Sequence, residues 1–180
     1  MSVINNLLEI SKSLENLEKT GIYDVEKYSC SLMHLTNQLE YFYCHLVQEG
    51  NGDVDSTYYR ISNRPKVHQL AYFNIGRGFP KELMDGHWCY VLKDLGYKMV
   101  VIPCTSIKED GEEVNPEYEM DINIKMGNRI SMSRIQLSDI RSVDNQRIDL
   151  RKPFFDVLTD EQEIIDFVET KLFDKEKSSE

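Results

Sequence analysis

The sequence predicts an α+β fold: a small β-barrel with an N-terminal helical hairpin and a C-terminal helix. Three observations predict it. Apolar residues recur every three or four positions through the first 47 residues, the period shortens to two after a Gly- and Asp-rich stretch at 49–56, and a helical period returns after residue 159. The change of period at 49–56 divides the chain into a hairpin extension, 1–55, and a barrel with its closing helix and charged tail, 56–180.

Residues 3–18 set Val3, Ile4, Leu7, Leu8, Leu14 and Leu17 along one helical stripe. Thr20-Gly21 stops that helix and Asp24 caps the next. From 25 to 47, Tyr28, Leu32, Leu35, Leu39, Phe42 and Leu46 repeat the pattern. Two helices joined by a short turn predict an antiparallel pair, whose stripes need the following domain or a second copy to cover them. His34 and His45 lie inside this segment with no second ligand at metal spacing, and are read as packed or surface residues.

Strand signals follow. Residues 67–75 read as a first strand, and 88–92 and 99–104 as a hairpin around Asp94-Leu95-Gly96-Tyr97. Residues 117–125 alternate, with Tyr118, Met120, Ile122 and Ile124 inward. Gly127-Asn128 turns the chain into 129–137. There the apolar parity switches from Ile130 and Met132 to Ile135 and Leu137, predicting a bulge near Ser133-Arg134. Residues 140–143 form a last short strand, so five or six strands fill about a hundred residues, the pattern of a small barrel. Thr159-Asp160-Glu161-Gln162 reads as a capping box, opening a helix whose Ile164, Ile165, Phe167, Val168 and Leu172 cover the barrel. The charged, Ser-rich tail after Phe173 is expected to be disordered.

Composition bounds the function. A chain of 180 residues holds one ordinary domain and an attachment. It has no apolar run of 18 residues and no basic-then-apolar leader, so a cytoplasmic protein with no membrane partner is expected. Cys30, Cys44, Cys89 and Cys104 form no CxxC pair and sit in apolar stretches, which predicts buried reduced thiols and no metal or other cofactor. The net charge of −10 is uneven. Residues 1–55 and 156–180 each hold three Lys/Arg against nine Asp/Glu, whereas 56–155 holds fifteen against thirteen. A polyanionic ligand is therefore compatible with the middle, and the acidic flanks read as solvated surface.

Reactive side chains gather between 76 and 107. Glu82 lies in a Gly-bearing loop, His87 opens a strand, and Thr105 ends the following one. Gly76-Arg77-Gly78 lacks the helix that a phosphate-cradling motif needs behind it. Taken singly, Glu82 reads as a loop charge, His87 as an edge residue bound to backbone, and Thr105 as a turn cap. Arg141 and Arg147 read as partners of Asp139, Asp144 or Asp149.

In their order, however, these segments resemble the MazF/PemK toxins: the loop with Glu82, the strand start Gly86-His87-Trp88, Val101-Ile102-Pro103-Cys104-Thr105-Ser106, and the stretch from Leu137 to Arg147 that includes Ile140-Arg141-Ser142-Val143-Asp144. The similarity spans roughly residues 65–150. The resemblance implies an SH3-like barrel, usually a homodimer, that cleaves single-stranded RNA without a metal and is controlled by an antitoxin. It implies catalytic roles for Glu82, His87 and Thr105. Arg77, Arg134, Arg141 and Arg147 are the candidate phosphate contacts, and Phe79, Tyr72 and Trp88 the candidate base-stacking residues, with a core position equally open for Trp88. The better-known members carry Arg where this chain has His87.

These residue types suit the reaction. RNA brings its own nucleophile, the 2′-hydroxyl, so the protein has to move protons and neutralise the phosphorane. A carboxylate and an imidazole can divide the proton transfers, since the unperturbed histidine pKa of about 6.5 lies near working pH. Arginine is a clamp rather than a proton donor, which leaves clamping to Arg77, Arg134 or Arg141. The alternative expectation is a non-catalytic, CcdB-like inhibitor that binds a protein target through the same barrel. For the acidic hairpin, packing or dimerisation is expected ahead of shielding the groove or receiving the antitoxin.

Overall fold

A computed structural model describes residues 2–51, 61–108 and 113–173, with 48–51 described by backbone alone. Most of the expected linker, and with it the domain boundary at 55/56, lies outside the described residues, as does the tail after Phe173. Among the described residues the chain forms helices α1 (Val3–Thr20) and α2 (Val25–Tyr41), the latter running on through a wider π-helical coil (Phe42–Asn51). Strands β1 (Gln69–Asn74), β2 (Gly86–Asp94), β3 (Lys98–Ser106), β4 (Glu119–Met126), β5 (Arg129–Gln136), β6 (Arg141–Asp144) and β7 (Phe155–Val157) follow, and α3 (Glu161–Phe173) comes last.

The strands close on themselves. In the order β2-β1-β7-β4-β5-β3 each pairs antiparallel with the next, and β3 returns to β2, giving a six-stranded barrel with β6 added alongside β3. Closure removes the sheet edges that a strip of short strands would expose. Leu70, Tyr90, Ile102, Ile122, Ile135 and Val157, one from each barrel strand, meet inside, and Ile164 and Val168 of α3 join the same cluster. A second cluster covers the outer face of β1–β3: Phe73, Cys89, Val91, Met99 and Val101 are packed by Ile61, Val143 and Ile148.

β7 has no periodic signal in the sequence because it is three residues long and follows Pro153. It nevertheless completes the barrel, pairing with β1 at Leu70↔Phe155 and with β4 at Ile124↔Val157. The bulge expected in β5 is absent: β4 and β5 keep one register from Glu119↔Gln136 to Met126↔Arg129. The parity never switches, because Ser133 and Ile135 face inward while Ile130 and Met132 point outward, 70% and 53% exposed. The register shift occurs instead in β2, between Val91 and Lys93. The capping box is also different. Asp160, not Thr159, accepts the amides of Gln162 and Glu163 at the start of α3, and the Thr159 hydroxyl takes the Asn123 amide at 2.8 Å.

Asp24 caps α2 and Gly21 ends α1 in the left-handed region (φ 64°), as the sequence predicts, and Ser2 caps the start of α1. Neither helix holds a buried residue, and Ile4 on the α1 stripe remains 69% exposed. Cys30 and Cys44, expected to be buried, are exposed for that reason, whereas Cys89 and Cys104 are buried thiols. No described helix is long and apolar enough to cross a membrane.

The two ends of α3 make a test. Ile164→Ala leaves a cavity in the barrel and is expected to lower the unfolding free energy by about 2–4 kcal/mol in urea titration. Leu172→Ala, on the exposed side of the same helix, is expected to change it by less than about 0.5 kcal/mol.

Candidate active site

The connection from β1 to β2 is a folded loop. Its base is zipped by Ile75 N–H to Asp85 O (2.8 Å) and Asp85 N–H to Gly76 O (2.7 Å). Gly76 and Asp85 both take positive φ (84° and 65°), and Asp85, a residue that pays a steric penalty there, is held by its carboxylate. That carboxylate accepts the Ser31 hydroxyl of α2 (2.7 Å) and Arg77 Nε (3.0 Å). At the loop tip, Glu82 N–H donates to Phe79 O, and the Glu82 carboxylate accepts Phe79 N–H, both at 2.9 Å. Gly78 lies beneath it, and a Cβ there would overlap the carboxylate and push the Glu82 side chain aside. The loop is then pinned to the barrel: Leu83 N–H donates to Asp139 Oδ1 (2.9 Å), which also takes Arg141 Nη2 (3.0 Å).

His87 and Thr105 come from the two strands that flank this loop's far side. β2 and β3 are in register at Cys89↔Pro103, so continuing one step along the same face sets His87 opposite Thr105. The His87 Nδ1 lies 3.5 Å from the Cys104 carbonyl oxygen. β3 then pairs Thr105 with Arg134 of β5, and β5 pairs Arg134 with Asp121 of β4. A polar row His87–Thr105–Arg134–Asp121 thus crosses four strands on the outer face of the barrel. His87 and Thr105 are both half-buried.

Much of this row is already satisfied. Thr105 Oγ1 accepts Gln136 Nε2 at 3.3 Å, and Gln136 also donates to Glu119 Oε1 at 2.9 Å. Arg134 grips Asp121 through two hydrogen bonds, 2.7 Å and 3.2 Å, with Glu119 3.6 Å away. The bond to Asp121 raises the Arg134 pKa further above its ordinary value. With two carboxylates beside one guanidinium, Arg134 carries no net positive field to a phosphate.

The structure therefore brings together His87, Thr105 and Arg134 in one row, and joins Arg141 through Asp139 to the loop that carries Glu82. It does not join Glu82, His87 and Thr105 by hydrogen bonds to one another. Arg77 turns toward α2, held by Asp85 and Ser31, and Phe79 at the loop tip is 80% exposed. Arg147 lies on the α2 side, donating to the Asn74 carbonyl at 3.1 Å. Trp88 packs against the core between Tyr72 and Phe155.

Sequence reasoning named Asp139 as a partner of Arg141, as found, but missed Gln136, Asp85 and Ser31 as groups that hold the candidates in place. Gln136 was open to discovery, since it shares the parity of Arg134 along β5. Ser31 was not, because only the tertiary docking of α2 against the loop brings it to Asp85. No family model matches the chain, and no curated protein sequence matches it.

Beneath the row lie the two buried thiols. Burial pushes the Cys104 thiol up to about 12 and holds Cys89 well above its ordinary value, with Cys104 adding to the effect on Cys89. Burial also raises Tyr90. These groups keep their protons in the fold at pH values where the unfolded chain loses them, so the native state binds more protons and stability falls as pH rises from about 8.5 toward 12. Urea midpoints measured over this range are expected to drop, each group contributing a slope of at most about 1.4 kcal/mol per pH unit. At neutral pH an alkylating reagent is expected to label Cys30 and Cys44 only until the chain is denatured.

Proposed function

We propose that the chain is a metal-independent endoribonuclease of MazF/PemK type, cutting single-stranded RNA through a 2′,3′-cyclic phosphate. The observation that carries this reading is the contact of His87 with the end of β3, its Nδ1 3.5 Å from the carbonyl oxygen of Cys104 next to Thr105, with His87 and Thr105 both half-buried. A phosphodiester laid between them meets an imidazole that can exchange a proton with the 2′-hydroxyl or the leaving 5′-oxygen. It also meets a hydroxyl that can donate to a non-bridging oxygen as charge develops. In this reading Glu82 serves as the second proton-transfer group, and RNA displaces its carboxylate from the Phe79 amide. Arg141, tethered through Asp139 to the loop that carries Glu82, supplies the clamp. The reading needs no metal because the substrate carries the nucleophile. An SH3-like barrel fold, assembly as a homodimer in the cytoplasm, and restraint by an antitoxin belong to the same proposal.

A second reading, a non-catalytic inhibitor that grips a protein target, is favoured by one observation. Phe79 and Pro80 at the loop tip border an apolar groove of about 720 Å³ with Leu14 and Leu17 of α1, a surface suited to side chains rather than phosphates.

Incubation of the purified chain with single-stranded RNA in excess EDTA separates the two. The nuclease reading expects 2′,3′-cyclic phosphate and 5′-hydroxyl ends. His87→Ala and Thr105→Val are expected to slow cleavage by about 10²–10³-fold, and Glu82→Ala to abolish it. RNA left intact from about pH 5.5 to 8.5, the range over which histidine titrates, would transfer the assignment to the inhibitor.

A further inference from the structure

A cleft of about 620 Å³ lies between α2 and the rim of the barrel, lined at the start of β2 by Asp85 and Gly86. Its charged lining is four cations, Lys27, Arg147, Arg151 and Lys152, against two carboxylates, Asp85 and Asp149. In a chain of net charge −10 that balance is unusual. It is more one-sided than the count suggests, because both carboxylates are occupied. Asp85 is held by Arg77 and Ser31, and Asp149 takes two 2.8 Å bonds from Arg151, which holds its carboxyl below the usual range. Among the described residues no salt bridge joins a carboxylate to Lys27 or Arg147, and Lys152 acts on Asp149 through its charge alone.

The walls are of like sign. Lys27 is the sole Lys or Arg on α2, and it lines the face turned toward Arg147 and Lys152 across the gap. Cations facing one another repel, so this arrangement gains stability when an anion sits between them. The floor is built to stay open. Gly86 has no room for a Cβ because the Tyr72 ring lies over it, and a Cβ on Gly76 would come 3.3 Å from Arg147 Nη1. Tyr72 lines the cleft, with Lys152 Nζ 5.7 Å from its ring centroid. Cations from two walls beside an aromatic ring match a nucleotide: phosphate for the charges and a base for the ring.

We propose that this cleft binds the phosphate of a nucleotide, either free or within an RNA strand, with Arg147, Lys27 and Lys152 as the charge contacts and Tyr72 against the base. Neither His87 nor Thr105 lines the cleft, and binding there does not depend on cleavage.

The test is binding, not activity. The full chain is titrated at low salt with ADP, and separately with a 2′-O-methyl oligoribonucleotide lacking terminal phosphates, which cannot be cut. Trp88 fluorescence reports occupancy, since its ring lies edge-on to Tyr72 at 5.4 Å. At least one probe is expected to bind, and the one that does names the source of the phosphate. Arg147→Gln is expected to weaken it about tenfold or more, and Lys27→Gln to weaken it and lower the salt slope by about 0.7–1. Lys27 lies on an exposed helix surface, so its replacement leaves the barrel folded and keeps the test decisive if Arg147→Gln does not fold. Arg129→Gln, at the β4–β5 turn, is expected to change nothing. Absence of binding by either probe at millimolar concentration overturns the proposal, as does equal weakening by Arg129→Gln and Lys27→Gln. Because neither probe reports cleavage, an inactive enzyme that still binds here refutes only the nuclease reading.

Discussion

One strand sets the geometry of the barrel and its candidate site. β3 has three partners: β2 along one side, and on the other β6 from Lys98 to Val101 and then β5 from Cys104 to Ser106. Pro103, which has no N–H to give to a ladder, sits at the changeover. The exchange lets a short sheet bend into a closed ring, and it carries Thr105 out from under β6 to lie between His87 and Arg134. A slip of one residue in β3 would turn Thr105 inward and send Cys104 outward, so the same pairing that buries the two thiols also presents the hydroxyl.

The fold was legible where period and burial agree. β4, with Ile122 and Ile124 buried and the polar Asp121, Asn123 and Lys125 alternating with them, and the hairpin around Gly96 could be read directly. The failures have physical causes. Ile130 and Met132 were assigned to the core by their hydrophobicity alone, yet a barrel strand has an outer face that carries apolar residues too. β7 is too short for any periodicity, though the barrel does not close without it. Thr159 looked like a cap until its hydroxyl was claimed by β4. The order of loop, strand and strand around Glu82, His87 and Thr105 was readable, because His87 and Thr105 lie on the two strands of one hairpin. The hydrogen bonds that hold them were not, because Asp139, Gln136 and Ser31 arrive from elements distant in sequence.

Electrostatics divides the molecule more sharply than its sequence suggested. The arginine in the polar row, Arg134, is saturated by Asp121 and Glu119, whereas Lys27, Arg147 and Lys152 line the cleft behind α2 with no salt bridge of their own among the described residues. A protein that holds a polyanion would then grip it on one side and act on it at another, with the β1–β2 loop between: Asp85 at its base touches α2, and Leu83 near its tip touches Asp139. The acidic hairpin is thereby more than a cover. Through Ser31 and Lys27 it contributes to both regions while leaving its own apolar stripe exposed.

The claim beneath the whole account is that β3 presents Thr105 beside His87 on the outer face. An NOE spectrum with labelled threonine methyls and histidine ring protons tests it directly, since opposed residues hold their Cβ atoms about 4.5–5.5 Å apart. The account predicts a cross-peak between the Thr105 methyl and the His87 ring, with none to Tyr90. A Thr105 methyl in contact with Tyr90 or Ile135, and silent toward His87, would contradict it.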